Sequence, residues 1–295
     1  MVFLGTAAAA SEFPTLDSAN DRGLQVAMDM SLQKLRLDRA VAEKRLAVSL
    51  VDITDPYHPR MAEVNGNVMM YAASLPKIAI LLGAIHKAHE GLLTLDVEMR
   101  SKLINMIRHS SNSDASEVLS IVGEEYLAEL LQSEDYEFYK PDQGGLWVGK
   151  SYAKGPSWKR DPLFNISHGA SSHEVSRFYY MLATNRLVSP QSCTIMTEIL
   201  SKPAINHKFV SGIRSVHPDA RIFRKSGTWR TYHSDSAIIE RDGRKYIIVA
   251  LVNDPDGSKW LEKIVIEMDK IILANDSPER FAHHAVFAPT ELILH

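Results

Sequence analysis

The 295-residue chain holds a single cysteine, Cys193. An intramolecular disulfide is therefore impossible, and a cysteine-rich metal site is excluded. Cys193 lies in SPQSCTIMTEIL, which reads as an amphipathic helix with the thiol as a small buried side chain. Long apolar runs are also missing. None reaches the roughly 20 residues of a membrane span. Charge of one sign is not in excess either: 33 basic and 36 acidic residues give a net charge of -3. Lys and Arg are scattered in a mixed, solvated pattern, so a nucleic-acid partner is not expected. Histidines are more plentiful, but the pairs His168 and His173, and His283 and His284, lack a partner carboxylate pattern. No metal and no cofactor is expected. Internal repeats and low-complexity segments are absent.

What is present is a hydrophobic fraction of 45%, enough for one large domain or two smaller ones. The first residues, MVFLGTAAAASEF, are apolar and end in an alanine run that suits a cleavage site. They lack the basic start and longer apolar centre of a full export signal. Residues 1–18 thus read either as a signal remnant or as an unstructured start, and a periplasmic or secreted location is the expectation.

Residues 19–38 have helical spacing, with Leu24, Met28, Leu32 and Leu35 on one face. RLAVSLVDIT (45–54) is strand-like and ends at Asp55-Pro56. Asn65-Gly66 then signals a turn, consistent with a strand or short hairpin. Helical patterns follow at 75–89, 95–108, 112–132, 172–185 and 189–201. Between 133 and 170 lies an irregular stretch rich in Gly, Pro, Tyr and Trp, too long for an ordinary connection. RIFRKSG, DSAIIERD and RKYIIVALV then read as strands, the last two joined by Asp242-Gly243. A helix over 258–273 closes the pattern. Strands at both ends and helices between predict an α+β fold of the α/β/α sandwich type. An antiparallel sheet would be flanked by N- and C-terminal helices, with a helical region inserted. The expected division is a discontinuous sheet domain (19–72 plus 206–275), a helical domain (73–205) carrying the 133–170 loop, and a tail (276–295).

Three short motifs carry chemistry. Ser74-Leu75-Pro76-Lys77 sits where strand gives way to helix, so Ser74 and Lys77 share one helical face. A hydroxyl beside an amine makes a nucleophile and base once burial lowers the lysine pKa. Ser110-Ser111-Asn112 enters the next helical stretch. Its hydroxyl can relay a proton and its amide can bind a carbonyl, or both can simply cap a helix. Lys225-Ser226-Gly227, followed by Thr228, ends a strand. It offers a positive charge, a hydroxyl, a close backbone approach and an N–H donor. Each motif alone is weak, and a structural role suffices for it.

Together, in this order and setting, they resemble the S-x-x-K, S-D-N and K-T-G triad of class A β-lactamases and penicillin-binding proteins. SSNSDASEVLSIVG and SSHEVSRFYYMLA extend the likeness, which covers roughly residues 24–273. The resemblance implies a β-lactamase/transpeptidase-like fold and an acyl-enzyme formed on Ser74. Lys77 would deprotonate it, and the N–H groups of Ser74 and Thr228 would hold the oxyanion. Ser110 and Lys225 would pass a proton to the leaving nitrogen. Asn112, Lys225, Ser226, Gly227, Thr228, Trp229 and Arg230 would contact a small-molecule or peptide-like substrate. A monomer is expected.

Three departures stand out. The interval from Ser74 to Ser110 is short, which predicts a more open site. The family's E-x-x-L-N motif has only Asp161-Pro162-Leu163-Phe164-Asn165 as counterpart. Asp161, with Asn165, is either a shorter deacylating base or a turn residue before proline. Trp147, Lys150, Tyr152 and Lys154, in GLWVGKSYAKG, are either a substrate wall or loop packing. His233 is near enough in sequence to titrate at the site. Competing readings are a penicillin-binding, peptidase-, amidase- or esterase-like enzyme with slow deacylation, and a non-catalytic binder of the same fold.

Overall fold

A computed structural model describes residues 13–274. Residues 1–12, which hold most of the segment read as a signal remnant, and the tail 276–295 with His283 and His284 lie outside the described residues. Helix α1 (Arg22–Lys34) starts where the Asp21 carboxylate accepts the Leu24 N–H at 2.8 Å, and it buries Leu24, Met28 and Leu32. A short α2 (Asp38–Ala42) leads into β1 (Leu46–Asp52), whose residues are all buried. β2 (Arg60–Val64) and the short β3 (Met70–Tyr71) follow. The turn at Asn65-Gly66 does not close a hairpin. β2 pairs with β1, and β3 pairs elsewhere. The Asn65 side chain instead donates to the carbonyls of Val41 and Leu46, both at 2.8 Å.

The helical region holds α3 (Lys77–His89), α4 (Val97–Arg108), α5 (Asn112–Val122) and α6 (Glu124–Gln132). The single helix expected over 112–132 is split at Gly123. Its φ of 87° suits glycine and ends the α-helical ladder. The irregular stretch contains only short strands: β4 (Tyr139–Lys140), β5 (Gly144–Gly145), β6 (Trp147–Val148) and β7 (His168–Ala170). β7 sits between β3 and β6 in a small sheet. Then come α7 (Ser172–Ala183), α8 (Pro190–Leu200) and α9 (Phe209–Val216). Strands β8 (Arg221–Trp229), β9 (Tyr232–Arg241) and β10 (Arg244–Asn253) precede α10 (Gly257–Ala274).

The main sheet runs β2-β1-β10-β9-β8, all antiparallel, so chain from both ends lies side by side. Side chains alternate across it. Ile248 and Ala250 join a core with Leu24, Met28, Ile264 and Met268 of α1 and α10. Ile247, Val249 and Leu251 point to the other face, into a core with Phe178, Tyr179, Leu81 and Leu82 of α7 and α3. A sheet buried on both faces explains why the strands read as near-continuous apolar runs. Each buried Leu or Ile contributes on the order of 1.5–3 kcal/mol of transfer free energy. The α/β/α sandwich read from the sequence is the architecture observed.

Candidate active site

The residues of the three motifs converge from α3, the α4–α5 junction and β8. Ala73, at φ 52°, turns the chain out of β3, and Ser74 follows it, three residues before Lys77 opens α3. Lys77 is 0% exposed, although its side chain is charged in water. Its Nζ donates to the carbonyls of Ser110 (2.7 Å) and Ser111 (3.1 Å) and to Asn112 Oδ1 (2.8 Å). Burial pulls its pKa down to about 7, against the opposing pull of the Asp114 charge. The amine is therefore poised near neutrality.

Ser110 joins two lysines. Its carbonyl accepts from Lys77, and its Oγ accepts from Lys225 Nζ at 2.9 Å. A φ of 59° lets one residue turn both groups inward. Ser111 caps α5 by accepting the Asp114 N–H, so in this motif the capping role falls to Ser111 and not to Ser110 or Asn112. Lys225 is 1% exposed and also donates to the Ser226 carbonyl at 2.7 Å. Burial and the neighbouring Lys77 charge push its pKa well below the usual lysine range.

β8 presses directly on the candidate nucleophile. A Cβ placed on Gly227 would lie 2.6 Å from the Ser74 backbone nitrogen and 2.2 Å from the Ala72 carbonyl oxygen. Only glycine lets the two backbones meet at this distance. Ser234 of β9 ties the same spot down by donating to the Ala72 carbonyl at 2.8 Å. Ser226 Oγ lies 3.3 Å from His207 Nε2, and burial lowers the His207 pKa to about 4. Trp229 is 54% exposed at the end of β8, with the Arg230 guanidinium 5.6 Å from its ring.

The 133–170 stretch contributes Tyr152. Its ring stands 4.5 Å from Lys77 Nζ, and its hydroxyl donates to the Ala73 carbonyl at 3.1 Å. His168 backs the same ring at 4.3 Å. The His168 Nε2–H donates to the Lys150 carbonyl, and burial lowers its pKa to about 4, so the imidazole is neutral near pH 7. Trp147 is buried against Tyr139 and donates to the Lys159 carbonyl at 3.1 Å. Trp147 is therefore loop packing, whereas Tyr152 touches the site. Lys154 is exposed.

Asp161 is 2% exposed and its carboxylate is fully engaged. It accepts from Tyr139 Oη (2.8 Å) and from the N–H groups of Leu163 (3.1 Å), Phe164 (3.2 Å) and Ile166 (2.9 Å). These bonds wind the loop around the carboxylate, as a turn-forming aspartate does. Asn165 is exposed at φ 56°, with its carbonyl held by Arg160 at 2.9 Å. His233 is buried on β9. Its Cδ2 would lie 2.8 Å from a Cβ on Gly257, at the start of α10. Neither ring nitrogen has a hydrogen-bond partner among the described residues, and burial lowers its pKa. Ser234, next along the strand, faces Ala72, so the period-2 alternation turns His233 away from Ser74.

Two groups at the site carried no sequence signal. Lys208 is completely buried and donates to the Gly227 carbonyl. Arg224 and Asp235 form a buried bidentate pair, at 2.6 and 2.7 Å. Nothing in the surrounding sequence distinguishes these from surface charges. Among the described residues no cluster of His, Cys, Asp and Glu is suited to a metal ion, and no helix is long and apolar enough to cross a membrane.

A model of the "Beta-lactamase enzyme family" matches residues 100–273, more than half of the chain. No curated protein matches significantly. Among solved structures, PBP-A superposes with a TM-score of 0.66 at 15% identity, covering 89% of this chain and 100% of that one. A β-lactamase from Sphaerobacter thermophilus gives 0.63 at 15% identity, with coverages of 83% and 95%. The TLA-3 extended-spectrum β-lactamase gives 0.65 at 13% identity, with 85% and 98%. At these identities the likeness is one of fold.

Proposed function

This chain belongs to the β-lactamase enzyme family, and from that premise we propose that it is a serine hydrolase that forms an acyl-enzyme on Ser74. The substrate class is a β-lactam or a related amide or ester that carries a carboxylate. The observation that carries the reading is Lys77, a wholly buried amine with a pKa near 7. It shares Ser110 with Lys225, beside a strand packed onto the Ser74 backbone.

Neutral Lys77 takes the Ser74 proton, directly or through water, and Oγ bonds to the substrate carbonyl carbon. The oxygen that gains charge is held by the N–H groups of Ser74 and Thr228. When the tetrahedral species collapses, the C–N bond breaks and the nitrogen takes the Ser110 proton, which Lys225 replaces. The 2.9 Å bond from Lys225 Nζ to Ser110 Oγ suits Lys225 to that replacement. Lys225 and Ser226 hold the substrate carboxylate, Asn112 a substrate amide, and the exposed Trp229 and Arg230 meet its side groups. Periplasmic or secreted placement and a monomeric state accompany the proposal.

Hydrolysis of the acyl-enzyme is a separate matter. Asp161 spends its oxygens on the loop, and the Tyr152 ring covers Lys77. Both favour a slowly deacylating, penicillin-binding-protein-like enzyme over a fast β-lactamase. The test is intact-protein mass spectrometry after addition of benzylpenicillin, with nitrocefin hydrolysis followed in parallel. A persistent adduct on Ser74 is expected. Rapid turnover would overturn slow deacylation, and no adduct with any β-lactam, ester or amide probe would overturn the whole reading.

Two further results are expected. Because the base works only when neutral, the acylation rate constant should rise with pH through about 7 and then level. Tyr152→Ala, by admitting water, should move that rise to higher pH. A flat profile between about pH 5.5 and 8.5 would remove Lys77 as the base. Asp161→Asn should leave acylation and deacylation within about threefold of the parent. It should cost roughly 1–3 kcal/mol of stability in denaturant titration, because an amide NH2 cannot accept the N–H bonds it would face. A large change in deacylation with unchanged stability would restore Asp161 as the base.

A further inference from the structure

Lys208 bears two burdens at once. Its ammonium lies wholly inside the protein, and its backbone, at φ 54° and ψ −123°, occupies a region that L-residues avoid. It immediately precedes α9 but provides no side-chain cap for that helix. The side chain reaches β8 and β9 instead. Nζ donates to the Gly227 carbonyl at 2.5 Å, to Thr228 Oγ1 at 2.7 Å and to the Ser234 carbonyl at 3.2 Å.

The first contact falls on one peptide unit. The Gly227 carbonyl and the Thr228 N–H belong to the same planar amide, and in a trans peptide they point in opposite directions. With the carbonyl turned to Lys208, the N–H is turned away from it. A cation on the oxygen draws electron density out of the amide, raises its C–N double-bond character and makes the N–H a more positive donor. It also fixes the plane of that amide. Gly227 is the residue of β8 least able to do so itself, since it lacks a side chain to restrict its torsions. The segment that carries Lys208 is itself fastened to the sheet. Asp235 accepts from the Phe209 N–H at 3.1 Å and from Arg224, which donates to the Ile205 carbonyl at 3.2 Å.

We infer that Lys208 is a positioning residue for the oxyanion hole: its ammonium orients and polarises the Gly227–Thr228 peptide so that the Thr228 N–H stabilises the oxyanion formed at Ser74. The inference rests on the acyl-enzyme reading above. The strained backbone and the buried charge are then the structural cost of supporting that donor from behind the strand.

The experiment compares the parent with Lys208→Met, which keeps the length and removes the charge. Acylation by benzylpenicillin is resolved into a binding constant and a first-order rate constant. The infrared stretch of the acyl-ester carbonyl is recorded in both proteins. Lys208→Met should lower the acylation rate constant about 10- to 100-fold with binding changed by less than about threefold, as expected when one oxyanion donor is weakened. The ester carbonyl band should move to higher wavenumber. A merely structural lysine would not move that band. An unchanged rate constant, or a fall in rate without a band shift, would overturn the inference. Should the Met variant not fold, Lys208→Gln, which still offers an N–H to the carbonyls, should show the same two changes in smaller measure. No shift in the Gln variant would be equally fatal. Failure of the parent itself to form an adduct would instead overturn the acyl-enzyme reading, and this inference with it.

Discussion

Ser74→Ala should show no added mass after exposure to benzylpenicillin, and its acylation rate should fall by at least about 10³-fold. The change removes one oxygen from a half-buried side chain and leaves the Ser74 N–H, the Lys77 contacts and the Gly227 approach in place. Stability should therefore stay within about 0.5 kcal/mol of the parent in thermal or denaturant unfolding. This separation of activity from stability gives the variant its diagnostic value. An adduct of unchanged yield on Ser74→Ala, mapped by peptide digestion to another residue, would refute Ser74 as the nucleophile.

Gly227→Ala should be nearly as damaging, for a reason of geometry rather than chemistry. The added methyl would sit 2.2 Å from the Ala72 carbonyl oxygen, 2.6 Å from the Ser74 nitrogen and 2.7 Å from Ser234 Oγ. Two of these three are backbone atoms, so no rotamer change relieves the clash. β8 must back away from the Ser74 segment by something near 1 Å. The two N–H groups assigned to the oxyanion belong to those two segments, so their spacing is lost. A misplacement of that size costs about 10²-fold in rate. Overpacking adds roughly 1–3 kcal/mol of destabilisation. The measurements are the acylation rate constant and the midpoint of unfolding. Acylation within threefold of the parent would show that the close approach is not what aligns the site.

Much of this architecture was legible in the sequence. The 3.6 spacing of Leu24, Met28 and Leu32, the Asp242-Gly243 hairpin and the strand-like run before Lys225 each report a local preference that the tertiary structure obeys. Local signals are ambiguous elsewhere. Asn65-Gly66 favours a tight turn, but the sheet takes β2 onto β1 and gives β3 a different partner. Gly123 reads as tolerable within a helical pattern until its backbone angle is known. Offsets within a motif relate only Ser74 to Lys77 and Ser110 to Asn112; that these meet one another and Lys225 at one site is what the resemblance to the S-x-x-K, S-D-N and K-T-G set implies. Asp161 had two open roles, and its bonds to Tyr139 and to loop N–H groups could not be read from composition. Lys208 was invisible for a stronger reason. A lysine in a polar stretch is nearly always solvated, and only the tertiary fold seals this one.

The sealing of Lys77, Lys208 and Lys225 has a consequence for how such a chain can change over generations. Each interior amine carries a desolvation cost, so an apolar residue of similar size, with its neighbours repacked, is one route to a tougher protein. A lineage or a laboratory screen rewarded only for heat resistance would drift toward inert, long-lived scaffolds. Retention of all three amines together would then mark a lineage still selected for its chemistry.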